Sequence, residues 1–260
     1  QIGGSVVRHK MYANQTSSTW YRPEAEMRVI EQKGDQAVIF ELQGSLFFGT
    51  TGQLLSELDA DLKTCRFVIL DLKRVQSVDF TAAHMLKQIE DRLHERGGRL
   101  LLCQLPHNLP TGQDLESYFA EVGLVKPKRF VTIFGELDAA LEWVEDQLLS
   151  EAGLAPPVSA VPLSLEDFDL FREFDAESLG ALRSILREVA VAEGSAVFRR
   201  GDTGDEVFLI RKGRVRILLP LEGGLEHHVA TFGRRDFFGE VAFLDRGART
   251  ADAVALTPTE

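Results

Sequence analysis

From residue 35 onward, apolar positions recur in two rhythms, one of period near 3.6 and one of short unbroken runs, until the pattern changes character near residue 153. Ala37–Gly44 (AVIFELQG) reads as a strand with a turn glycine behind it. Thr51–Leu62 sets Leu54, Leu55, Leu58 and Leu62 at helical spacing. Phe67–Leu72 (FVILDL) is a continuous apolar run, the pattern of a strand covered on both faces. Phe80–Leu93 is helical, with Ala83, Leu86, Ile89, Glu90 and Leu93 forming its stripe, and Gly97-Gly98 stop it. Arg99–Leu105 predicts another buried strand and Leu115–Val122 a helix. Phe130–Phe134 predicts a short strand and Glu136–Ala152 an amphipathic helix. This alternation predicts an α/β domain with a largely open sheet over residues 25–152, a pattern shared by many folds.

Gly153–Leu163 (GLAPPVSAVPL) carries three prolines and no charge, the composition of a semi-rigid linker. Ser164 with Asp167 three residues on is a helix-start signature. Asp175 is placed to cap a helix running through Leu179, Leu182, Leu186 and Val189. Beyond Val191 short apolar runs (VF, VFLI, VRILL, HHVATF) are separated by Gly194, Gly201, Gly204, Gly213 and Gly223-Gly224. That spacing predicts a mainly-β roll or barrel within residues 164–260.

Composition narrows the chemistry. A chain of 260 residues can bury two cores, and a formal net charge of −11 argues against broad contact with nucleic acid. Cys65 and Cys103 fall in apolar runs without metal or redox spacing, so both read as buried thiols of a reducing cytoplasm, and no metal is expected. Nothing reaches 18 consecutive apolar residues. Residues 1–24 form an arm whose first 23 residues hold Arg8, Lys10 and Arg22 but no acid. It reads either as a disordered leader or as a segment leaving a membrane on the cytoplasmic side. The chain lacks an initiator Met and stops at LTPTE without a closing helix, so a piece of a longer protein is expected. Asp59/Asp61 and Glu90/Asp91 read as solvated helix faces. The histidines form no catalytic set, and no nucleophile–base motif occurs, so catalysis by this chain is not expected.

Phe237–Ala251 (FFGEVAFLDRGARTA) carries the most specific chemistry. Gly239 lets a ligand approach the backbone. If Glu240–Leu244 makes one helical turn, its first amides lack intrahelical partners and favour an anion. Arg249 offers a rigid fork for phosphate oxygens, and Thr250 a hydroxyl beside it. Glu240, acceptor-only when ionised, suits a sugar hydroxyl. The plain alternative is a tight turn with a surface arginine; the full set describes a pocket for a phosphorylated ribose.

The pattern F-G-E-x-A-x-L, followed by Arg-Thr-Ala, resembles the phosphate-binding cassette of cyclic-nucleotide-binding domains, and Val197–Leu218 is similar to that family's glycine-punctuated strands. The resemblance implies a jelly-roll-like fold and a cyclic nucleotide, cAMP or cGMP, as ligand. It implies that amides of Gly239, Val241 and Ala242 meet the cyclic phosphate, Glu240 the ribose 2′-hydroxyl and Arg249 the phosphate charge, with Thr250 and Ala251 completing the cassette. Two departures stand out: Ala248 occupies a frequent proline position, and the helices that close over the base in the family do not follow.

Asp71–Ile89 resembles the strand–loop–helix signature of STAS domains, and Leu42–Thr50, Ser5–His9 and Tyr21–Glu26 are similar to segments of SulP anion transporters. That resemblance implies a mixed sheet with flanking helices and the regulatory end of a SulP-type transporter at the cytoplasmic face of the inner membrane. Its partners would be the transporter's own membrane domain, a STAS-binding regulatory protein and a second copy of the chain. A soluble signalling adaptor, or a version fused to an enzyme, fits the same motifs. Thr81 matches a position phosphorylated in anti-sigma factor antagonists; the favoured reading is that its hydroxyl caps the helix that follows.

Overall fold

The structure, a computed structural model, describes residues 5–20, 22–125, 131–154, 162–220 and 226–260. Most of the proline-bearing linker (155–161), Phe130 and the Gly223-Gly224 pair lie outside the described residues. The chain divides into two compact units, Gln1–Ser18 with Pro23–Ala155, and Thr19–Arg22 with Pro156–Glu260.

In chain order the first unit comprises β1 (Val7–Tyr12), α1 (Glu24–Lys33), β2 (Ala37–Leu46), α2 (Phe48–Leu58), α3 (Asp61–Thr64) and β3 (Phe67–Val78). There follow α4 (Phe80–Glu95), β4 (Arg99–Cys103), α5 (Leu115–Glu121), β5 (Val131–Phe134) and α6 (Leu137–Glu151). The sheet order is β1-β2-β3-β4-β5, with β2 to β5 parallel and β1 antiparallel on β2, a mixed sheet. Alternation along β3 explains the two layers. Val68, Leu70 and Leu72 face a core built with Leu54 and Leu58 of α2 and Leu86, Ile89 and Leu93 of α4. Phe67 and Ile69 face the opposite core, made with Ala140, Leu141, Val144 and Leu148 of α6.

Several expectations are corrected. The arm is not a disordered leader over Val7–Tyr12, which pairs with Val38–Leu42 as an edge strand; the run Arg8, His9 and Lys10 masks the pattern. The helix expected over Thr51–Leu62 begins at Phe48 as α2, because Thr50 Oγ1 accepts the Phe47 N–H at 3.0 Å and so starts the turn early. It breaks after Leu58, where the chain turns to bring Asp61 inside. Strand β3 runs on to Val78, through residues read as loop. Asp61 and Glu90 are not solvated; both are 2% exposed.

Asp61 is buried because its charge is answered. Lys10 Nζ lies 2.6 Å from Oδ2 and the Tyr12 hydroxyl donates to Oδ1 at 2.7 Å, so β1 supplies both partners. Partial burial works against the Lys10 charge, but the hydrogen bond and attraction to Asp61 outweigh it and raise the Lys10 pKa above the usual 10.5. Lys10→Met leaves a buried carboxylate with the tyrosine alone and is expected to cost about 1–3 kcal/mol in a urea melt at pH 7. The folded value being the higher, this stabilisation is complete below the usual lysine pKa and is lost as pH rises through the folded one. On the alkaline side, the gap between wild type and variant therefore closes only above the usual lysine range.

In the second unit Ser164 and Asp167 do form a capping pair, with Ser164 N and Oγ both donating to Asp167 at 2.9 and 2.8 Å, but the turns that follow are short 3-10 segments. Asp175 caps α7 (Ala176–Ile185), accepting the Ser178 N–H at 2.8 Å. The helix ends before Leu186, whose backbone turns extended, so Leu186 and Val189 leave the expected stripe and stand exposed. Then come β6 (Ala196–Phe198), β7 (Phe208–Leu209), β8 (Arg214–Pro220), β9 (Glu226–Gly233), β10 (Phe237–Phe238), α8 (Glu240–Asp245) and β11 (Asp252–Ala255). An antiparallel sheet of order β6-β11-β8-β9 and a β10-β7 pair enclose Ile210, Val215, Phe238 and Ala253. Thr19 O accepts the Thr231 N–H on β9, and the Trp20 ring lies 3.8 Å from the Arg214 guanidinium.

Candidate functional site

The site is built where β10 runs into α8. Gly239 has φ 91° and ψ 2°, the left-handed region, and stands at the N-terminus of the single turn Glu240–Asp245. Only glycine takes that conformation without strain, and here it also yields space: a Cβ would lie 2.9 Å from Arg249 Nη1 and 3.0 Å from the Glu206 carbonyl. No side chain caps this turn, so the anion-favouring amides expected of Gly239, Val241 and Ala242 have no competing side-chain cap.

Arg249 is 4% exposed. It is fixed on every side: Nη1 donates to the Gly239 carbonyl at 3.0 Å, and Nη2 donates to the Glu206 carbonyl at 2.9 Å and to Glu206 Oε2 at 3.3 Å. Its guanidinium carbon lies 4.3 Å from the Phe198 ring centre and 5.5 Å from that of Phe208. Backbone bonds hold its own position, Arg249 N to Asp202 O and Gly201 N to Arg249 O, both 2.8 Å. Asp252 anchors the same corner by accepting the Arg200 N–H at 2.7 Å.

The structure thus brings Gly239 and Arg249 together. Ala242 is buried, Glu240 and Ala251 are half-buried, and Val241 and Thr250 are exposed. A cavity of about 510 Å3 opens beside Arg249, lined by Val189, Val191, Val197, Phe198, Glu206 and Phe208 among others. Gly239, Glu240, Val241, Ala242, Thr250 and Ala251 are not part of its lining. Sequence reading missed Glu206, Phe198 and Phe208. The acid run GDTGDE and the two Val-Phe pairs at 197–198 and 207–208 were the available signals, but neither says which arginine they meet.

In the first unit, Thr81 is the second residue of α4 and exposed. It does not cap the helix, as sequence reading had allowed. Asp79 does, accepting the Ala82 N–H at 2.7 Å, because it is the residue with extended backbone just before the first turn. Phe47, Phe48 and Phe80, around the starts of α2 and α4, are also exposed. Cys65 and Cys103 are both buried, and burial raises both thiol pKa values, which disfavours the thiolate form a nucleophile needs. Among the described residues no group of His, Cys, Asp and Glu could hold a metal ion, and no helix is long and apolar enough to cross a membrane.

Comparison with known proteins agrees with both units. Residues 188–260 match the family model of the cyclic nucleotide-binding domain, and residues 27–111 that of the STAS domain. Glutaminase 2 of Bradyrhizobium diazoefficiens is 26% identical over 93% of this chain and 37% of its own length. The cyclic AMP receptor protein of Thermus thermophilus is 34% identical over 35% of this chain and 42% of its own. The vacuolar basic amino acid transporter VSB1 of Saccharomyces cerevisiae is 26% identical over 52% of this chain and 14% of its own. The chain therefore spans less than half the length of each of these relatives.

Proposed function

Proceeding from a STAS domain followed by a cyclic-nucleotide-binding domain, we propose that the chain is a regulatory module in which the roll binds cAMP or cGMP and the STAS domain passes that state to an attached effector. The observation that carries this reading is Arg249, buried against the left-handed Gly239 at the start of α8 and bordering a cavity. A guanidinium in that setting is worth its burial when an anion meets it. On this reading the cyclic phosphate takes the amides of Gly239, Val241 and Ala242 together with Arg249, and Glu240 accepts from the ribose. Thr250 and Ala251 complete the edge.

The effector we favour is an enzyme of the glutaminase class, with the chemistry in a separate catalytic domain. The support is the extent of the Glutaminase 2 alignment, which at 93% of the chain reaches both matched segments in one order. The SulP-type anion transporter expected from the arm and from Leu42–Thr50 is the second reading; the match of a vacuolar basic amino acid transporter over 52% of the chain supports attachment to a transporter, not the anion as its substrate. In either case the nucleotide shifts the effector only through different affinity for its two states. Glutamine hydrolysis by the full-length protein is expected to change about fivefold or more on saturation with one nucleotide. No change in hydrolysis, with nucleotide-dependent anion flux in proteoliposomes instead, would move the assignment to the transporter. No response in either assay would defeat the regulatory reading.

A further inference from the structure

We infer that Glu206 is a built-in competitor for the phosphate position, a carboxylate held on Arg249 that an incoming nucleotide must displace. The inference rests on the sensor reading of the roll. Among the described residues, the carboxylate that pairs with Arg249 is Glu206, at 3.3 Å. The two ends of that pair differ sharply. The Arg249 side chain is 3% exposed and fixed by two backbone carbonyls, whereas the Glu206 side chain is 54% exposed. The arginine stays and the carboxylate can leave.

Room for the carboxylate is specific. Gly204 stands opposite it, and a Cβ there would lie 2.7 Å from Glu206 Oε2 and 3.3 Å from Arg249 Nη2. Glu206 also lines the same cavity as Arg249. A buried guanidinium without any counter-charge is costly, so the pair steadies the unliganded roll. A second anion brought to the same fork meets repulsion until Glu206 turns outward. The residue therefore sets affinity: it holds the arginine ready and weakens every phosphate that binds there.

Glu206 reaches Arg249 in two ways, and they can be separated. Its backbone carbonyl accepts from Nη2 at 2.9 Å and survives any substitution; its carboxylate does not. Glu206→Gln and Glu206→Ala, in the full-length protein, are each expected to bind cAMP or cGMP about two- to fivefold tighter than wild type by calorimetric titration. Thermal denaturation without ligand checks that both remain folded, as expected for a half-exposed side chain. If wild type binds and both variants bind equally or more weakly, this inference is overturned and the sensor reading stands. If wild type and both variants bind neither nucleotide, the sensor reading is overturned, and the role of Glu206 with it.

Discussion

Arg249→Gln is expected to weaken cyclic-nucleotide binding by about 10- to 150-fold. The range follows from losing a charge-assisted hydrogen bond of about 1.5–3 kcal/mol where solvent cannot compensate. Glutamine retains a donor able to reach toward the Gly239 carbonyl, but it has neither the charge nor the second arm that reaches Glu206. The Phe198 and Phe208 rings lose their cation, so the variant is also expected to melt earlier by about 1 kcal/mol of stability. Arg249→Lys keeps the charge as a single point and is expected to fall between wild type and Gln. That ordering distinguishes a phosphate contact from a purely structural arginine, for which binding and stability would fall in proportion.

The second large effect lies in the STAS unit. Gly98→Ala is expected to cost about 2–4 kcal/mol in urea unfolding of the first unit. A Cβ at Gly98 would stand 2.1 Å from the Arg66 carbonyl oxygen, and that oxygen accepts the Arg99 N–H at 2.8 Å. The obstacle is backbone, not a side chain that can rotate, so the start of β4 must move away from β3 and disturb the Phe67–Arg99 pairing. Gly52→Ala in the same unit is the control. Nothing lies within 4 Å of its Cβ and the residue is inside α2, so a neutral to stabilising change of up to about 1 kcal/mol is expected. Equal behaviour of the two variants would show that close approach at Gly98 is not what fixes the strand.

Most of the α/β pattern was legible because each apolar run does one job. FVILDL is covered on both faces and reads as a strand from composition alone, and Gly97-Gly98 end α4 as a helix stop should, with Gly97 at φ 71°. Strand β1 was hidden because this edge strand has no buried residue and carries Arg8, His9 and Lys10 in its middle. Asp61 was misread since its partners, Lys10 and Tyr12, are about fifty residues away and no local rule joins them. In the roll, β10 has two residues and β11 begins with the buried Asp252, so neither shows a period. The turn at Glu240 and the arginine were visible in FFGEVAFLDRGARTA. The resident partner of that arginine was not, because Glu206 approaches from 43 residues earlier, after the chain has folded back.

Calorimetric titration of the full-length protein with cAMP and with cGMP, wild type beside Arg249→Gln, tests the central claim most directly. Saturable binding of at least one nucleotide by wild type, weakened by tenfold or more in the variant, is the expected result. A folded wild-type protein that takes up neither nucleotide, or a variant that binds as tightly as wild type, would contradict it.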